Sequence, residues 1–396
     1  MLEKMFERLN EIYPELVEIR RDLHMYPELS YQEVHTPKKI ADYLMNLGIE
    51  VETGIGGRGV VGKLRGGKPG KTIAFRADFD ALPIQDEKTV SYKSRVPGVM
   101  HACGHDIHTA ALLGTAKVLS EVKDRLVGDI VFIHQFAEEV SPGGAQAMIA
   151  DGCLEGVDSI FGAHVFSFEP FGTIGIRAGT MMAAIDGFHI EISGFGGHGS
   201  QPHQTVDSLV IGCQLVLNLQ QIVSRRIDPL QPAVVTVGSF ESGKASNVIA
   251  NSAKISGTVR SFDPGVRDCI ENAIKQIAKS TCEGAGAEVH IQYERGYPPV
   301  INHLDETRHI EEWAKSVVGE EHVIQRKLGM GSEDFAYYLQ HRPGAFFSVG
   351  GGNPEMAAIY PNHHPKFDVD ERSMINISKM FLSAACHHST SSLQAH

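Results

Sequence analysis

The segment from residue 101 to residue 108 concentrates side chains that can bind a metal ion. It reads His-Ala-Cys-Gly-His-Asp-Ile-His, so three histidines, one cysteine and one aspartate lie within eight positions. Imidazole and thiolate groups are ligands for borderline and soft transition metals. The glycine among them lets the backbone turn between the potential ligands. This composition predicts part of a metal site, whose remaining ligands must come from elsewhere in the chain.

Four other segments place polar side chains after an apolar strand or in a loop. They are residues 72–80, with Arg76, Asp78 and Asp80; residues 130–139, with Glu138 and Glu139; residues 159–164, with His164; and residues 362–365, with His363 and His364. Taken singly, each has a commoner structural explanation, such as a solvated pair of glutamates or a hydrogen-bonded core histidine. Sites in parallel sheets form at the carboxyl ends of the strands. Because all four segments lie at predicted strand ends or turns, we expect their polar side chains to contribute to one site.

Alternating strands and helices predict the scaffold that positions these segments. Predicted strands cover residues 60–64, 72–75, 130–133 and 159–165, and predicted helices cover residues 36–48 and 106–122. This alternation is typical of an α/β domain with a mostly parallel sheet covered by helices on both faces. The pattern resumes after about residue 299, with a strand at 345–349 and a closing helix at 374–385. We expect the polar tail, residues 387–396, to be frayed.

The middle of the chain has a different order of elements. Predicted strands at 188–192, 233–240, 253–259 and 288–293 and helices at 206–223 and 266–282 give a β-α-β-β-α-β order. This order is the ferredoxin-like pattern. We therefore predict a discontinuous metal-binding catalytic domain, residues 1–184 and 300–396, and an inserted domain, residues 185–299. The inserted domain carries three candidate functional residues: His198, which lies in a glycine-rich loop, Asn247 and Arg260. An ordinary loop and a surface charge would explain these residues equally well.

The composition argues against several classes of protein. The 396 residues include 36 basic and 48 acidic side chains, a formal net charge of -12, which disfavours nucleic acid or an anionic membrane surface as the main partner. The N-terminal residues are charged and lack the apolar core of a signal peptide, and no uncharged run could span a bilayer. The six cysteines include no CxxC pair, so a disulfide framework is not expected. We expect a cytoplasmic protein.

Eight motifs give the chain a family resemblance. It resembles the amidohydrolase branch of the aminoacylase/carboxypeptidase metallopeptidase family, which includes hippurate hydrolases and auxin-conjugate amidohydrolases. The motifs lie at residues 20–29, 76–84, 101–106, 135–139, 196–203, 247–249, 331–335 and 363–367. The wider family has a ligand histidine two residues before Asp78, where this chain has Arg76, which cannot bind a cation. The resemblance therefore implies a different local ligation, supplied by Cys103 and His105.

The resemblance implies a role for each candidate residue. Five side chains would bind a pair of divalent metal ions: Cys103, His105, Glu139, His164 and His363. The Cys103 thiolate would bridge the two ions, and Glu138 would be the general base. His198 would donate a hydrogen bond to the developing oxyanion, in many relatives from the partner subunit of a dimer. Asn247 and Arg260 would bind the carboxylate of the substrate, for which the planar donors of arginine are suited.

The expected reaction is metal-dependent hydrolysis of an N-acyl-L-amino acid to a carboxylic acid and a free amino acid. A bound metal lowers the pKa of water to about 7 and polarises a carbonyl, and Glu138 can move the water proton to the leaving amine. Zinc, manganese, cobalt and nickel are all compatible with thiolate and imidazole ligands. Three alternatives are a metallo-carboxypeptidase or dipeptidase, a hydrolase with Cys103 as nucleophile, and a non-catalytic metal-binding relative. The expected assembly is a homodimer or homotetramer.

Overall fold

The computed structural model describes residues 1–356 and 358–391. The chain forms two compact units. The larger unit comprises residues 1–181, 301–327 and the chain from residue 334 onward, and the inserted unit comprises residues 182–300 and 328–333. No helix within the described residues has both the length and the apolar character that crossing a membrane requires.

The elements are numbered in chain order. Residues 1–182 form α1 (Leu2–Glu11), α2 (Tyr13–Met25), α3 (His35–Asn46), β1 (Glu50–Ile55), β2 (Gly59–Leu64), β3 (Ile73–Asp78), α4 (His105–Ser120), β4 (Ile130–Gln135), α5 (Ala145–Ala150), β5 (Ser159–Pro170), β6 (Ile174–Ile176) and β7 (Gly179–Met182). The next residues form β8 (Ala184–Ser193), β9 (Gly197–His198), α6 (Ser208–Leu219), β10 (Ala233–Ser242), β11 (Val248–Ile249), β12 (Ser252–Ser261), α7 (Pro264–Gly284) and β13 (Glu288–Arg295). The chain then forms β14 (Val300–Asn302), α8 (Leu304–Val318), β15 (Val323–Gln325), α9 (Phe335–His341), β16 (Gly344–Gly352) and α10 (Ser373–Ser391).

The main sheet of the larger unit has the strand order β1-β2-β4-β3-β5-β16-β6-β15. Its centre is parallel, because β3 pairs in parallel with β4 and β5, and β5 pairs in parallel with β16. Strands β1, β2 and β6 add antiparallel pairs around this centre. Every position of β3 and β4 is buried, as expected for apolar strands covered on both faces. The predicted α/β class with a mostly parallel sheet is confirmed.

Helix α4 follows the metal-binding segment directly because Gly104 allows a sharp entry into the helix. Gly104 has a φ of +97°, and a Cβ at this position would lie 2.4 Å from a methyl group of Val165. Both the backbone conformation and the close approach of β5 therefore require glycine. The helix is buried along most of its length and packs against α2 and α10. This burial holds Cys103 and His105 at the start of a rigid element.

In the inserted unit, four strands form an antiparallel sheet in the order β10-β12-β8-β13. Strand β8 alternates between buried and more exposed positions, which is typical of a sheet with one covered face. Helices α6 and α7 supply the apolar side chains of that core, including Leu215 and Ile274. The elements follow one another in the order β-α-β-β-α-β. The helix predicted at 206–223 is shorter than expected, because α6 ends at Leu219 and a π-helical turn, Ile222–Arg226, follows.

The closing helix differs from its predicted extent. Helix α10 continues to Ser391, beyond the predicted end at Ala385, so the part of the polar tail before residue 392 is helical. The remaining residues of the predicted frayed tail, 392–396, lie outside the described residues.

Candidate metal centre and active site

The larger unit brings the five predicted ligands together. Cys103 and His105 lie at the start of α4, Glu139 follows β4, His164 lies in β5, and His363 lies in the loop between β16 and α10. One ligand atom each from Cys103, His105 and His164 lie within 4.8 Å of one another. The same holds for Cys103, Glu139 and His363. The two groups have only Cys103 in common, so the thiol lies where two metal sites would meet.

Hydrogen bonds to backbone carbonyls orient two of the histidine rings. The Nδ1 atom of His105 lies 2.9 Å from the carbonyl oxygen of Asp80, and that of His164 lies 2.8 Å from the carbonyl oxygen of Val165. Because a carbonyl oxygen only accepts, Nδ1 carries a proton in both rings, which leaves Nε2 of the neutral ring to bind a cation. Metal-binding histidines are typically held in this way. The Nε2 atom of His164 points at Cys103 and lies 3.2 Å from its Sγ.

The donor set fits a divalent metal ion. Nε2 of His105 and Oε1 of Glu139 are buried and have no hydrogen-bond partner among the described residues, and leaving buried polar atoms unpaired is unfavourable. Burial alone would lower the pKa of His105, but the carboxylates of Asp78, Asp80 and Glu139 raise it to about 10. A nitrogen that attracts a proton so strongly attracts a divalent cation for the same electrostatic reason. Thiolate, imidazole and carboxylate together suit zinc, manganese, cobalt or nickel.

The Cys103 thiol depends on such a cation for its ionisation. Burial, followed by the charges of Glu139 and Glu138, raises the pKa of the Cys103 thiol well above its ordinary value. The thiol therefore stays protonated unless a cation displaces the proton. Its position is fixed by the backbone, because Asn362 donates a hydrogen bond of 3.1 Å to the Cys103 carbonyl oxygen and His363 donates one of 2.7 Å to that of Ala102.

Asp80 connects two of the ligands, although from the sequence it was only an acidic residue after a strand. It is fully buried, with one carboxylate oxygen 3.1 Å from Nδ1 of His105. The other oxygen accepts hydrogen bonds from the backbone N–H of Glu139 at 3.0 Å and from the hydroxyl of Ser30 at 2.7 Å. Asp80 thus fixes the positions of an imidazole and a carboxylate ligand together. Its spacing of two residues from Asp78 on a strand was the available signal.

Arg76 occupies the position where the wider family has a ligand histidine. Its buried guanidinium lies 2.7 Å from Asp78 and 2.9 Å from Asp334, so it neutralises two buried carboxylates. Asp78 in turn accepts a hydrogen bond of 2.6 Å from Nδ1 of His108, and Nε2 of His108 accepts one of 2.9 Å from the backbone of Val165. Ligand atoms of Asp78, His105 and His108 also lie within 4.8 Å of one another. Because both nitrogens of His108 are engaged in hydrogen bonds, this histidine is better placed to support the sheet than to bind a metal ion.

His101, the first histidine of the 101–108 segment, belongs to none of the groups of potential metal ligands among the described residues. It is buried, and neither ring nitrogen has a hydrogen-bond partner among the described residues. Burial lowers the pKa of His101 to about 4, so the ring is neutral. Sequence spacing alone does not distinguish it from His105, which is only four residues away.

Glu138 and Glu139 lie on a turn with an unusual backbone. Ala137 has a φ of +51°, a conformation that is uncommon for residues with a side chain. After this turn, ligand atoms of Glu138, Glu139 and His105 lie within 4.8 Å of one another. Glu138 is 6% exposed. Two adjacent carboxylates therefore border the site, and Glu139 is the one grouped with Cys103.

The residues predicted to bind substrate lie in the inserted unit. His198 in β9 is paired with Val248 in β11, and the backbone of Gly199 donates a hydrogen bond of 2.8 Å to the Asn247 carbonyl oxygen. Nδ1 of the exposed His198 ring accepts from the backbone N–H of Ser200 at 3.1 Å. The neutral ring therefore carries its proton on Nε2 and offers a donor to solvent.

Arg260 lies in β12 and is half-buried. Its Nη1 donates hydrogen bonds to neutral acceptors, the hydroxyl of Thr258 and the carbonyl oxygen of Val259. Burial lowers the pKa of Arg260 below its ordinary value, although an arginine remains charged at neutral pH. The charge of Asp186 also acts on Arg260. A half-buried guanidinium whose own hydrogen-bond acceptors are neutral is suited to binding an external carboxylate.

Comparison with known proteins identifies relatives along nearly the whole chain. Residues 74–387 match the model of peptidase family M20/M25/M40. The Bacillus subtilis protein YhaA, which carries the name of an amidohydrolase, is 52% identical over 379 residues, covering 96% of each chain. Thermostable carboxypeptidase 1 of Saccharolobus solfataricus is 42% identical over 374 residues, covering 94% of each chain. The N-acyl-L-amino acid amidohydrolase of Geobacillus stearothermophilus is 46% identical over 301 residues, covering 76% of this chain and 81% of that protein.

A solved structure shares the fold. The crystal structure of the YXEP protein of Bacillus subtilis, described as a dinuclear metal-binding peptidase of the M20 family, matches with a TM-score of 0.83. The two sequences are 34% identical, and the match covers 96% of this chain and 99% of that one. On the family match and these relatives, the chain belongs to peptidase family M20/M25/M40 and is a hydrolase of amide bonds.

Proposed function

We propose that the protein hydrolyses N-acyl-L-amino acids to a carboxylic acid and a free amino acid, using a pair of divalent metal ions. The observation that carries this proposal is the pair of donor groups that share Cys103. Glu138 lies beside them on the same turn as Glu139. The relative named as an N-acyl-L-amino acid amidohydrolase supports the substrate class.

Each donor group would hold one ion. Cys103, His105 and His164 would bind the first, and the same thiolate with Glu139 and His363 would bind the second. His363 has the more exposed side chain, 52% accessible against 7% for Glu139, so the second position is the one nearer to solvent. When bound, such ions supply Lewis acids that lower the pKa of water and polarise a carbonyl group.

Glu138 would perform the proton transfers. It would take a proton from the attacking water and deliver it to the amide nitrogen as the carbon–nitrogen bond breaks. Glu139 is the member of the pair that belongs to the donor group with Cys103, which leaves the role of general base to Glu138. Asp80, through its bond to the Glu139 backbone, would keep the two carboxylates in these separate roles.

The substrate screen that tests this function compares N-acetyl, N-benzoyl and longer N-acyl amino acids with dipeptides. Each compound is assayed on the purified protein, on the protein after removal of metal, and after addition of zinc, manganese, cobalt or nickel alone. We expect N-acyl amino acids to be hydrolysed only in the presence of metal. Preference for dipeptides would favour a peptidase, and undiminished activity without metal would favour Cys103 as nucleophile. Inactivity on every compound would indicate a non-catalytic relative.

Arg260 and Asn247 would bind the carboxylate of the amino-acid part of the substrate. Arg260→Ala should therefore lower kcat/KM for an N-acyl amino acid much more than for its uncharged amide. Loss of a charge-assisted contact costs about 1.5–3 kcal/mol, or roughly ten- to a hundredfold in kcat/KM. Steady-state kinetics on the acid and amide pair measure the difference. Equal losses for both substrates would show that Arg260 acts only on the structure of β12.

A homodimer formed through the inserted unit is part of the proposal. Helix α6 exposes a second apolar row opposite its buried face: Val210 is 60% and Leu217 64% exposed, with the exposed Cys213 between them. Strand β10 lies at the edge of the inserted sheet, with one side unpaired in that sheet. Exposed apolar rows and open strand edges are typical of association surfaces. A second copy of the chain would cover both.

His198 would act from the partner subunit, donating from Nε2 to the oxyanion that develops at the scissile carbonyl. A donor of this kind acts mainly in the transition state, so His198→Ala should lower kcat more than it raises KM. Mixing inactive His198→Ala and Glu138→Gln proteins should then restore activity. Random exchange gives half mixed dimers with one intact site each, so about a quarter of wild-type activity is expected at most. Demonstrated subunit exchange without restored activity would rule out action across the dimer.

A further inference from the structure

We propose that Glu33 is a positioning residue that holds the turn carrying Glu138, an inference that rests on the proposed function. The Glu33 side chain is 1% exposed, and its Oε1 accepts a hydrogen bond of 3.0 Å from the backbone N–H of Ala137. Ala137 is the residue with the φ of +51° directly before Glu138. The carboxylate is therefore bonded to the residue that directly precedes Glu138 and has an uncommon backbone conformation.

The loop that carries Glu33 is itself firmly held. Glu28 accepts hydrogen bonds from the backbone N–H groups of Val34, His35 and Thr36 at 2.8–3.1 Å, which caps the start of α3. The ring of Tyr31 makes an edge contact with Phe136, with ring centroids 5.8 Å apart. The Glu28 hydrogen bonds hold residues 28–36 together internally, and the Tyr31–Phe136 contact packs this loop against the segment that follows β4.

A structural role alone does not account for a carboxylate at this position. Burial raises the pKa of Glu33 to about 7, and the charge of Asp80 adds to this effect. Oε2 of Glu33 is buried and has no hydrogen-bond partner among the described residues, and its ion pair with Nε of Arg58 is long, at 3.9 Å. An apolar side chain would be more favourable for folding alone. Strained backbone and perturbed carboxyl groups concentrate at functional sites, and both occur at the Glu33–Ala137 contact.

The consequence for the reaction is geometric. Without the Glu33 acceptor, Ala137 can relax toward an ordinary backbone conformation, which rotates Glu138 away from its position beside His105. A displacement of about 1 Å in a reacting group can lower a rate by roughly a hundredfold. Glu33 would therefore affect turnover while leaving the binding of the substrate carboxylate unchanged.

The first test compares two replacements of Glu33 with a neighbouring control. Glu33→Met keeps the volume but removes the oxygen, and Glu33→Gln keeps an oxygen that can accept from Ala137. Glu33→Met should lower kcat by about ten- to a hundredfold, with KM and metal content close to those of the wild type. Its melting temperature should fall, because the N–H of Ala137 loses its acceptor. Glu33→Gln should restore most of kcat. Gln32→Ala, which truncates the adjacent exposed side chain, should behave like the wild type.

The second test uses the backbone directly. Glycine adopts a positive φ without the steric cost that alanine has, so Ala137→Gly should make the turn less dependent on Glu33. The loss of kcat caused by Glu33→Met should then be smaller in the Ala137→Gly background than in the wild-type background, by a factor of about five or more. Interacting residues show such non-additive effects, and independent residues do not.

Three outcomes would overturn the positioning role. The first is an unchanged kcat in Glu33→Met. The second is a Glu33→Gln variant that regains the melting temperature of the wild type but not its kcat, and the third is an equal effect of Glu33→Met on kcat in the two backgrounds. If Glu33→Met does not fold, the kcat of Glu33→Gln decides, because a low kcat in a folded, metal-loaded Gln variant contradicts the role. A wild-type protein that is inactive on all N-acyl amino acids would refute the proposed function instead.

Discussion

Glu138→Gln should give a folded, metal-loaded protein whose turnover is lowered by at least ~10²-fold, the contribution typical of a general base. The amide of glutamine has nearly the shape of the carboxylate but cannot take a proton from water. The five candidate ligands are unchanged in this variant, so its metal content should equal that of the wild type. Turnover measured at saturating substrate and metal analysis of the same purified sample check the two parts of the expectation.

The neighbouring residue provides a matched control. Glu139→Gln removes a carboxylate from the donor group with Cys103 and His363, so this variant should lose metal along with activity. Added metal should restore part of its activity, whereas it should not restore that of Glu138→Gln. Near-normal turnover in Glu138→Gln would remove that residue from the mechanism, and equal metal loss in both variants would mean that the two carboxylates do not have separate roles.

Cys103→Ser should lose metal and activity together. A serine hydroxyl is a poorer ligand than a thiolate for borderline and soft metals, and Cys103 is the residue that both donor groups require. We expect the metal content to fall from about two ions per chain to one or none, since a shared ligand affects both positions. Metal analysis after dialysis at fixed free metal measures the change. A variant that retains full metal but has no turnover would contradict the ligand role.

The alternative role of Cys103 as a nucleophile has a geometric basis in its 3.2 Å contact with His164. Two observations oppose it. Nδ1 of His164 bonds a backbone carbonyl and not a carboxylate or amide side chain, and burial raises the thiol pKa, whereas nucleophilic cysteines have a lowered pKa. Because the thiol must lose its proton when metal binds, metal affinity should fall as the pH is lowered, by up to about tenfold per pH unit for one released proton.

The parts of the fold that could be predicted are those with strong local patterns. The apolar runs of β3, β4 and β5 are long enough to be recognised. The start of the apolar helix α4 is marked by Gly104. Strand β1 was not predicted, because its residues are mostly exposed and lack an apolar alternation. The short strands β6 and β15 contain three residues each, too few to show a period.

The candidate site was predictable to the extent that its residues carry metal-binding side chains. Thiol and imidazole groups near one another in sequence indicate coordination, which identified Cys103 and His105. Asp80 and Glu33 act through hydrogen bonds to a ring nitrogen and to a backbone N–H, and carboxylates that do this look the same in sequence as surface carboxylates. His101 and His105 likewise have the same residue type. Only the folded chain shows that burial lowers the pKa of His101, whereas carboxylates raise that of His105.

The position of β16 bears on how this protein can be made in the cell. Although β16 comes from the last part of the chain, it lies inside the main sheet, between β5 and β6, and pairs residue by residue with the strand that contains His164. During synthesis, the sheet and the His363 loop therefore cannot be completed until nearly the whole chain has left the ribosome. Pairings between such distant segments form slowly, so acquisition of a complete metal centre would be a late event in the maturation of this protein.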